Sequence, residues 1–135
     1  MQAGTVAAPD FDWPWGQHAN MLLDNGNILL FDNGHRRQYG AAPLYSRAVE
    51  YDVNESNMTV KQVWEWGADR GWDFFSRIIS DVDVLPNTGN RLVTAGFVNG
   101  GPNSYAKVVE LNHPMSMEEF ELTLRFKNQK TSGQG

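Results

Sequence analysis

The chain of 135 residues contains no cysteine. That excludes disulfides, thiolate metal sites and a cysteine nucleophile, and it is compatible with either a reducing or an oxidising compartment. Basic clusters are missing as well: 11 Lys and Arg are scattered among 16 Asp and Glu, for a net charge of −5. A nucleic-acid or anionic-membrane partner, which would call for a concentrated cationic patch, is not expected. No apolar run is long enough to span a bilayer, and Met1-Gln2-Ala3-Gly4-Thr5 lacks the basic start and apolar core of a signal peptide. If the parent protein is exported, its signal lies outside this chain. Histidine is scarce, with only His18, His35 and His113, and no His-x-His pair or paired carboxylates accompany His18. No metal site is expected on that pattern. Asp24-Asn25-Gly26-Asn27 also lacks the alternate-residue ligands and closing glutamate of a calcium loop.

What the chain does contain is a pattern that occurs twice, about sixty residues apart. Leu23-Asp24-Asn25-Gly26-Asn27-Ile28-Leu29 reappears as Leu85-Pro86-Asn87-Thr88-Gly89-Asn90-Arg91-Leu92, and Tyr45-Ser46-Arg47-Ala48-Val49-Glu50-Tyr51-Asp52 as Tyr105-Ala106-Lys107-Val108-Val109-Glu110-Leu111-Asn112. A repeat at this period marks stacked supersecondary units. The offset sets His18 opposite Ser80, so one position differs in chemistry on a shared scaffold.

Each copy reads as four strands. Residues 17–23 and 28–32 flank a tight Asn-Gly hairpin, because Asn-Gly suits the positive φ that two-residue hairpins require. Tyr45 to Asp52 and Thr59 to Trp66 follow, the latter with period-2 alternation. The second copy supplies 78–85, 91–96, 105–112 and 119–126. One stretch competes: Ser116 three residues before Glu119 matches a capping box and would open a short helix after Pro114. The fold expected is all-β, two four-stranded antiparallel blades of a β-propeller. The divisions are a lead-in segment at 1–16, blades at 17–66 and 67–126, and a polar tail at 127–135. Two blades do not close a ring, so either further blades or further copies of the chain must cover the open faces.

Several residues are candidates for chemistry. His18 begins a strand of the kind that lines a propeller axis, where an imidazole acts as nucleophile, base or ligand; on spacing alone, a hydrogen-bonded structural histidine is the commoner role. In Phe31-Asp32-Asn33-Gly34-His35-Arg36-Arg37, Asp32 and Asn33 suit a turn whose side chains bond the local backbone. The arginines suit solvent, or a guanidinium fork folded over an anionic substrate. Trp13-Pro14-Trp15 is a candidate wall for an aromatic ligand, whereas Trp64 and Trp66 share a strand face and suit packing between blades. Ser80 suits either a hydrogen bond in the channel or a strand-end cap. The sequons at Asn54 and Asn57 lie in a turn where such residues are common.

Taken in order, Gln17-His18, Leu23 to Gly34, Tyr45 to Tyr51 and Val63-Trp64-Glu65-Trp66-Gly67 resemble the C-terminal half of the bacterial arylsulfate sulfotransferase family over nearly the whole chain. The resemblance implies a six-bladed propeller, periplasmic or extracellular, that moves a sulfuryl group from an aryl sulfate donor to a phenolic acceptor without a nucleotide cofactor. It implies a ping-pong reaction through a sulfohistidine, with the nucleophile carried by the Gln-His motif that matches Gln17-His18. Arg37 is then aligned with a family arginine, and Asn33, Ser80 and Trp15 are candidates for substrate contact. The family's remaining active-site histidines and its channel arginine are expected in blades that precede this segment. The alternative is a non-catalytic binding or assembly module in which two-blade chains oligomerise into a ring. The mass in solution separates the two: a stable trimer marks the module, and a monomer or aggregate marks part of a longer propeller.

Overall fold

The computed structural model describes residues 11–37 and 44–125. The tail expected at 127–135 and most of the lead-in fall outside them. Eight strands form two sheets: β1 (His18–Leu22), β2 (Ile28–Asp32), β3 (Arg47–Asn54) and β4 (Thr59–Trp66) in one, β5 (Ser80–Val84), β6 (Arg91–Val98), β7 (Tyr105–Asn112) and β8 (Met117–Arg125) in the other. Each sheet is a meander in chain order with every neighbour antiparallel. The architecture is therefore all-β, two four-stranded antiparallel sheets of the propeller-blade type.

Local chemistry explains the boundaries, including those that differ from expectation. The β1–β2 hairpin closes through Leu23 N–H to Asn27 O at 2.8 Å, with Gly26 alone at positive φ. This is a three-residue loop ending on a left-handed glycine instead of a two-residue Asn-Gly turn, and the Asn25 side chain accepts the Asn27 N–H at 3.0 Å to hold it. β5 begins at Ser80, not at 78, because Ile79 is left-handed (φ 58) and its carbonyl accepts the Gly96 N–H at 2.7 Å outside the ladder. The capping-box helix does not form. Ser116 takes φ 59 in a turn, and residues from Met117 onward pair with β7, where ladder hydrogen bonds outweigh a local helix preference.

The sheets pack face to face across one core. Leu29, Phe31, Ala48 and Trp66 of the first meet Val82, Val93, Ala95, Val109 and Leu111 of the second. Phe74, from the 3-10 segment Ala68–Asp73 and its exit, fills the space between them. It is fully buried, with its ring 5.0 Å from Trp66 edge-on and 6.1 Å from Phe31. Trp64 lies beside this core and donates its indole N–H to Ser116 Oγ of the second sheet at 2.9 Å, so both Trp64 and Trp66 serve the junction. At its rim Arg91 reaches back to Glu50 at 3.0 Å, both nearly buried. Burial by itself disfavours ionised Glu50, but hydrogen bonds from Asn27 and Arg91 outweigh it and hold the carboxyl below its ordinary value.

A second, smaller cluster of Leu30, Val49 and Tyr51 occupies the opposite face of the first sheet under Phe11. The main core is shared, so the second sheet's described buried apolar residues all lie in the junction. Phe74→Ala should cost about 3–5 kcal/mol, read as a fall in the urea midpoint of a single transition. A loss confined to one of two separate transitions would show that the sheets are stabilised independently.

Candidate functional site

Asp32 and Asn33 leave the end of β2 fully buried, and two networks grow from them. Asp32 Oδ1 accepts the backbone N–H of Trp15 at 2.8 Å and of Gly34 at 3.0 Å, the local turn bonding expected of this residue type. Its other oxygen takes Arg47 Nε at 3.1 Å and Arg37 Nη2. Gly34 is obligatory, because at φ +69 an added Cβ would stand 1.9 Å from the Tyr45 carbonyl oxygen.

Asn33 joins the two sheets. Its amide nitrogen donates to Ser76 O at 2.6 Å, and because a backbone carbonyl can only accept, this bond sets the orientation of the amide. Oδ1 therefore faces the other way, where it accepts Ser80 Oγ–H at 3.0 Å and meets His18 Nδ1 at 2.7 Å. Two fully buried serines lock the backbone beneath. Ser46 Oγ–H donates to Asn33 O at 2.8 Å and accepts the Ser76 N–H at 2.9 Å, while Ser76 Oγ accepts the Phe97 N–H at 2.8 Å.

For His18 the consequence is a defined tautomer. Nδ1 faces two acceptors, Asn33 Oδ1 and Gly16 O at 3.2 Å, so in the neutral ring it carries the proton and Nε2 keeps its lone pair. The side chain is exposed, at a bulged strand start where Ala19 takes φ 53 and the β1–β2 register shifts between His18 and Met21. Bulges of this kind re-aim a side chain. A neutral imidazole held this way offers Nε2 as a nucleophile, base or ligand atom.

Of the five residues singled out from sequence, the structure brings together His18, Asn33 and Ser80. Trp15 is half-buried and anchored through its backbone, its carbonyl accepting the His35 N–H at 3.0 Å. Arg37 is inside the protein, ion-paired with Asp12 and Asp32 and with its guanidinium 4.1 Å above the Tyr45 ring. A guanidinium so surrounded organises the loop; the exposed arginine of the pair is Arg36. Tyr45 is pushed up to about 12 by burial and by its hydrogen bond to Asp12. Burial opposes the charge on Arg47, but Asp32 beside it prevails and keeps it above its ordinary value.

Next to this assembly lies an open cleft of about 450 Å³ with two cations, Arg36 and Arg77, and three aromatic rings, Trp72, Phe75 and Phe97, among its lining. His35 also lines it and packs beside Gly16, two residues before His18.

The fold and site together define a propeller-type β protein with an amide-positioned imidazole at a strand start. The chain belongs to the arylsulfotransferase (ASST) family, whose model matches residues 5–133. It is 35% identical over 117 residues to the arylsulfate sulfotransferase AssT of Lelliottia amnigena, covering 82% of this chain and 20% of that protein. It is 42% identical over 100 residues to arylsulfate sulfotransferase AssT of Escherichia coli O6:H1, covering 71% of this chain and 17% of the relative. The chain thus spans about a fifth of the length of the relatives it matches.

Ser46, Ser76 and Asp12 escaped the sequence reading. The signal for Ser46 was available: it stands opposite Ala106 in the paired segments, the same kind of difference that set His18 against Ser80. Asp32 likewise stands where the second sheet has Ala95, since these two pair with Arg47 and Lys107 respectively. Ser76 had no such marker, because its partners Asn33, Ser46 and Phe97 are brought to it only by long-range contacts.

Asn33→Ala should destabilise the chain by about 1–3 kcal/mol, the cost of leaving buried partners unsatisfied. Nitrogen NMR of the imidazole should show His18 passing from the single Nδ1–H tautomer to a mixture. An unchanged spectrum would refute the amide's hold on the ring.

Proposed function

We propose that this chain is the nucleophile-bearing part of an arylsulfate sulfotransferase, with His18 accepting a sulfuryl group from an aryl sulfate and passing it to a phenol. The observation that carries the reading is the pairing of His18 Nδ1 with the buried Asn33 amide, which in the neutral ring leaves the Nε2 lone pair free on an exposed residue. Family membership supplies the class of reaction, and the matched relatives bear the name of that activity.

In this reading the Nε2 lone pair attacks sulfur, the bond from sulfur to the aryl oxygen breaks, and the phenolate leaves with that electron pair. The sulfated ring carries positive charge next to three sulfuryl oxygens, and the Nδ1–H bond to Asn33 Oδ1 strengthens as that charge develops. An acceptor phenol then loses its proton to a base, its oxygen attacks sulfur, and the N–S bond breaks to regenerate neutral His18. Ser80, on the same amide oxygen, keeps Asn33 polarised toward the ring. Arg37 acts as a positioning residue that sets the Asp32-Asn33-Gly34 turn. The cleft with Arg36, Arg77 and its aromatic rings suits an aryl group bearing an anion, and Trp15, whose carbonyl accepts the N–H of the lining residue His35, is a candidate for a further aromatic contact.

The blades at 17–66 and 67–126 follow from the internal repeat, and six blades in the complete ring and a periplasmic or extracellular location follow from the family resemblance. The other blades provide the remaining groups on the sulfuryl oxygens.

Peptide mass analysis after exposure to an aryl sulfate tests the assignment, on this chain and on the chain joined to the blades of a longer relative. A sulfuryl adduct is expected on His18, absent in His18→Ala and retained in His113→Ala. An adduct that persists in His18→Ala, or none even in the joined protein, would eliminate His18 as the nucleophile.

A further inference from the structure

The junction between the sheets shows what chemistry one face of this fold demands of its neighbour. Strand registers place Leu29, Phe31, Ala48, Glu50, Trp64 and Trp66 on the first sheet's inner face. Within it Glu50 Oε1 accepts Asn27 Nδ2–H at 2.6 Å, and Oε2 receives Arg91 Nη2 at 3.0 Å from the second sheet. Arg91 also lies 6.0 Å above the Trp64 ring, and His113 and Ser116 close over the same tryptophan.

The second sheet carries the same arrangement on its far face. Glu110 Oε1 accepts Asn90 Nδ2–H at 2.7 Å, Phe120 pairs with Glu110 where Trp64 pairs with Glu50, and the register shifts directly after both glutamates. Leu92, Thr94, Ala106, Val108, Leu122 and Leu124 share that face, with the exposed Asp81 and Asp83 along its β5 edge. Phe120, Leu122 and Leu124 are 50%, 41% and 43% exposed, and among the described residues no cation pairs with Glu110.

We propose that this face is the docking surface for a further β-sheet that places an arginine, next to a turn asparagine, against Glu110 as Arg91 is placed against Glu50. The charge requirement also excludes a second copy of this chain as the occupant. In the paired segments Asn27-Ile28 stands where the second sheet has Asn90-Arg91, so another copy would set Ile28 against the carboxylate. It would leave Glu110 desolvated without a counter-ion, the arrangement that costs most in an interface. The neighbour is a sheet of different sequence, selected by the ion pair it makes with Glu110 among the apolar residues of β6, β7 and β8. The proposal draws on the ring reading only for the presence of a neighbouring sheet, and failure of sulfuryl transfer at His18 would leave its readout untouched.

Carboxylate labelling by carbodiimide, read by peptide mass, tests it on the full chain and on a variant with a second copy of residues 67–125 joined after Gly135. The appended segment is the one that already folds against Glu50. In the chain alone Glu110 should label freely at every concentration while Glu50 stays protected. In the extended protein Glu110 labelling should fall by about tenfold. Replacing the appended copy's Arg91 by Ile should restore the labelling, and replacing it by Lys should keep the protection. Concentration-dependent protection of Glu110 in the chain alone, with a matching rise in mass, would mean that a second copy is the occupant. Unchanged labelling in the extended protein, or equal protection by the Arg and Ile forms, would equally overturn the proposal.

Discussion

The buried Asn33 amide is the constraint on which the site and the sheet junction both depend. Its nitrogen is spent on Ser76 O, beyond the first sheet, and its oxygen is shared by Ser80 and His18. A carboxamide has donors at one end and an acceptor at the other, so satisfying the second sheet at one end dictates what the other presents to the imidazole. Sheet packing is thereby converted into a tautomer. The buried hydroxyls of Ser46 and Ser76 hold the backbone on which this conversion relies, in surroundings where an unmade hydrogen bond is costly.

Around that amide the electrostatics are arranged to hold a loop in place. Asp32 is fully buried and is met by Arg37, Arg47 and two backbone N–H groups, so its charge is neutralised inside the protein. The Tyr45 ring beneath Arg37 and its hydroxyl on Asp12 complete the cage. Buried ions are tolerated only when paired and hydrogen-bonded, and here the pairing connects Asp12 and Trp15, just ahead of β1, to the exit of β2. His18 thus begins a strand whose lead-in is fastened at two points.

Much of this was legible in the chain. The eight strands followed from alternation and turn residues, and the His18/Ser80 contrast pointed to two groups that meet on one amide oxygen. Where the reading and the structure differ, long-range partners are the cause. Ser116 and Glu119 form a capping box on paper, yet β7 recruits that segment into its ladder. Arg37 looked like a surface guanidinium, but Asp12 and Asp32 take it inside. Periodicity registers the face a residue occupies and is silent about a carboxylate 25 residues away.

By itself the sequence determined the class of fold, the two sets of four strands and the family, since these rest on local spacing and on ordered motifs. The tertiary structure alone decided which nitrogen of His18 bears the proton, that Arg37 is buried against the Asn33 turn, and that, among the described residues, Glu50 has an ion-pair partner while Glu110 has none. Each of those depends on groups brought together across sheets, where the orientation of one amide or the reach of one guanidinium is set by atoms far apart along the chain.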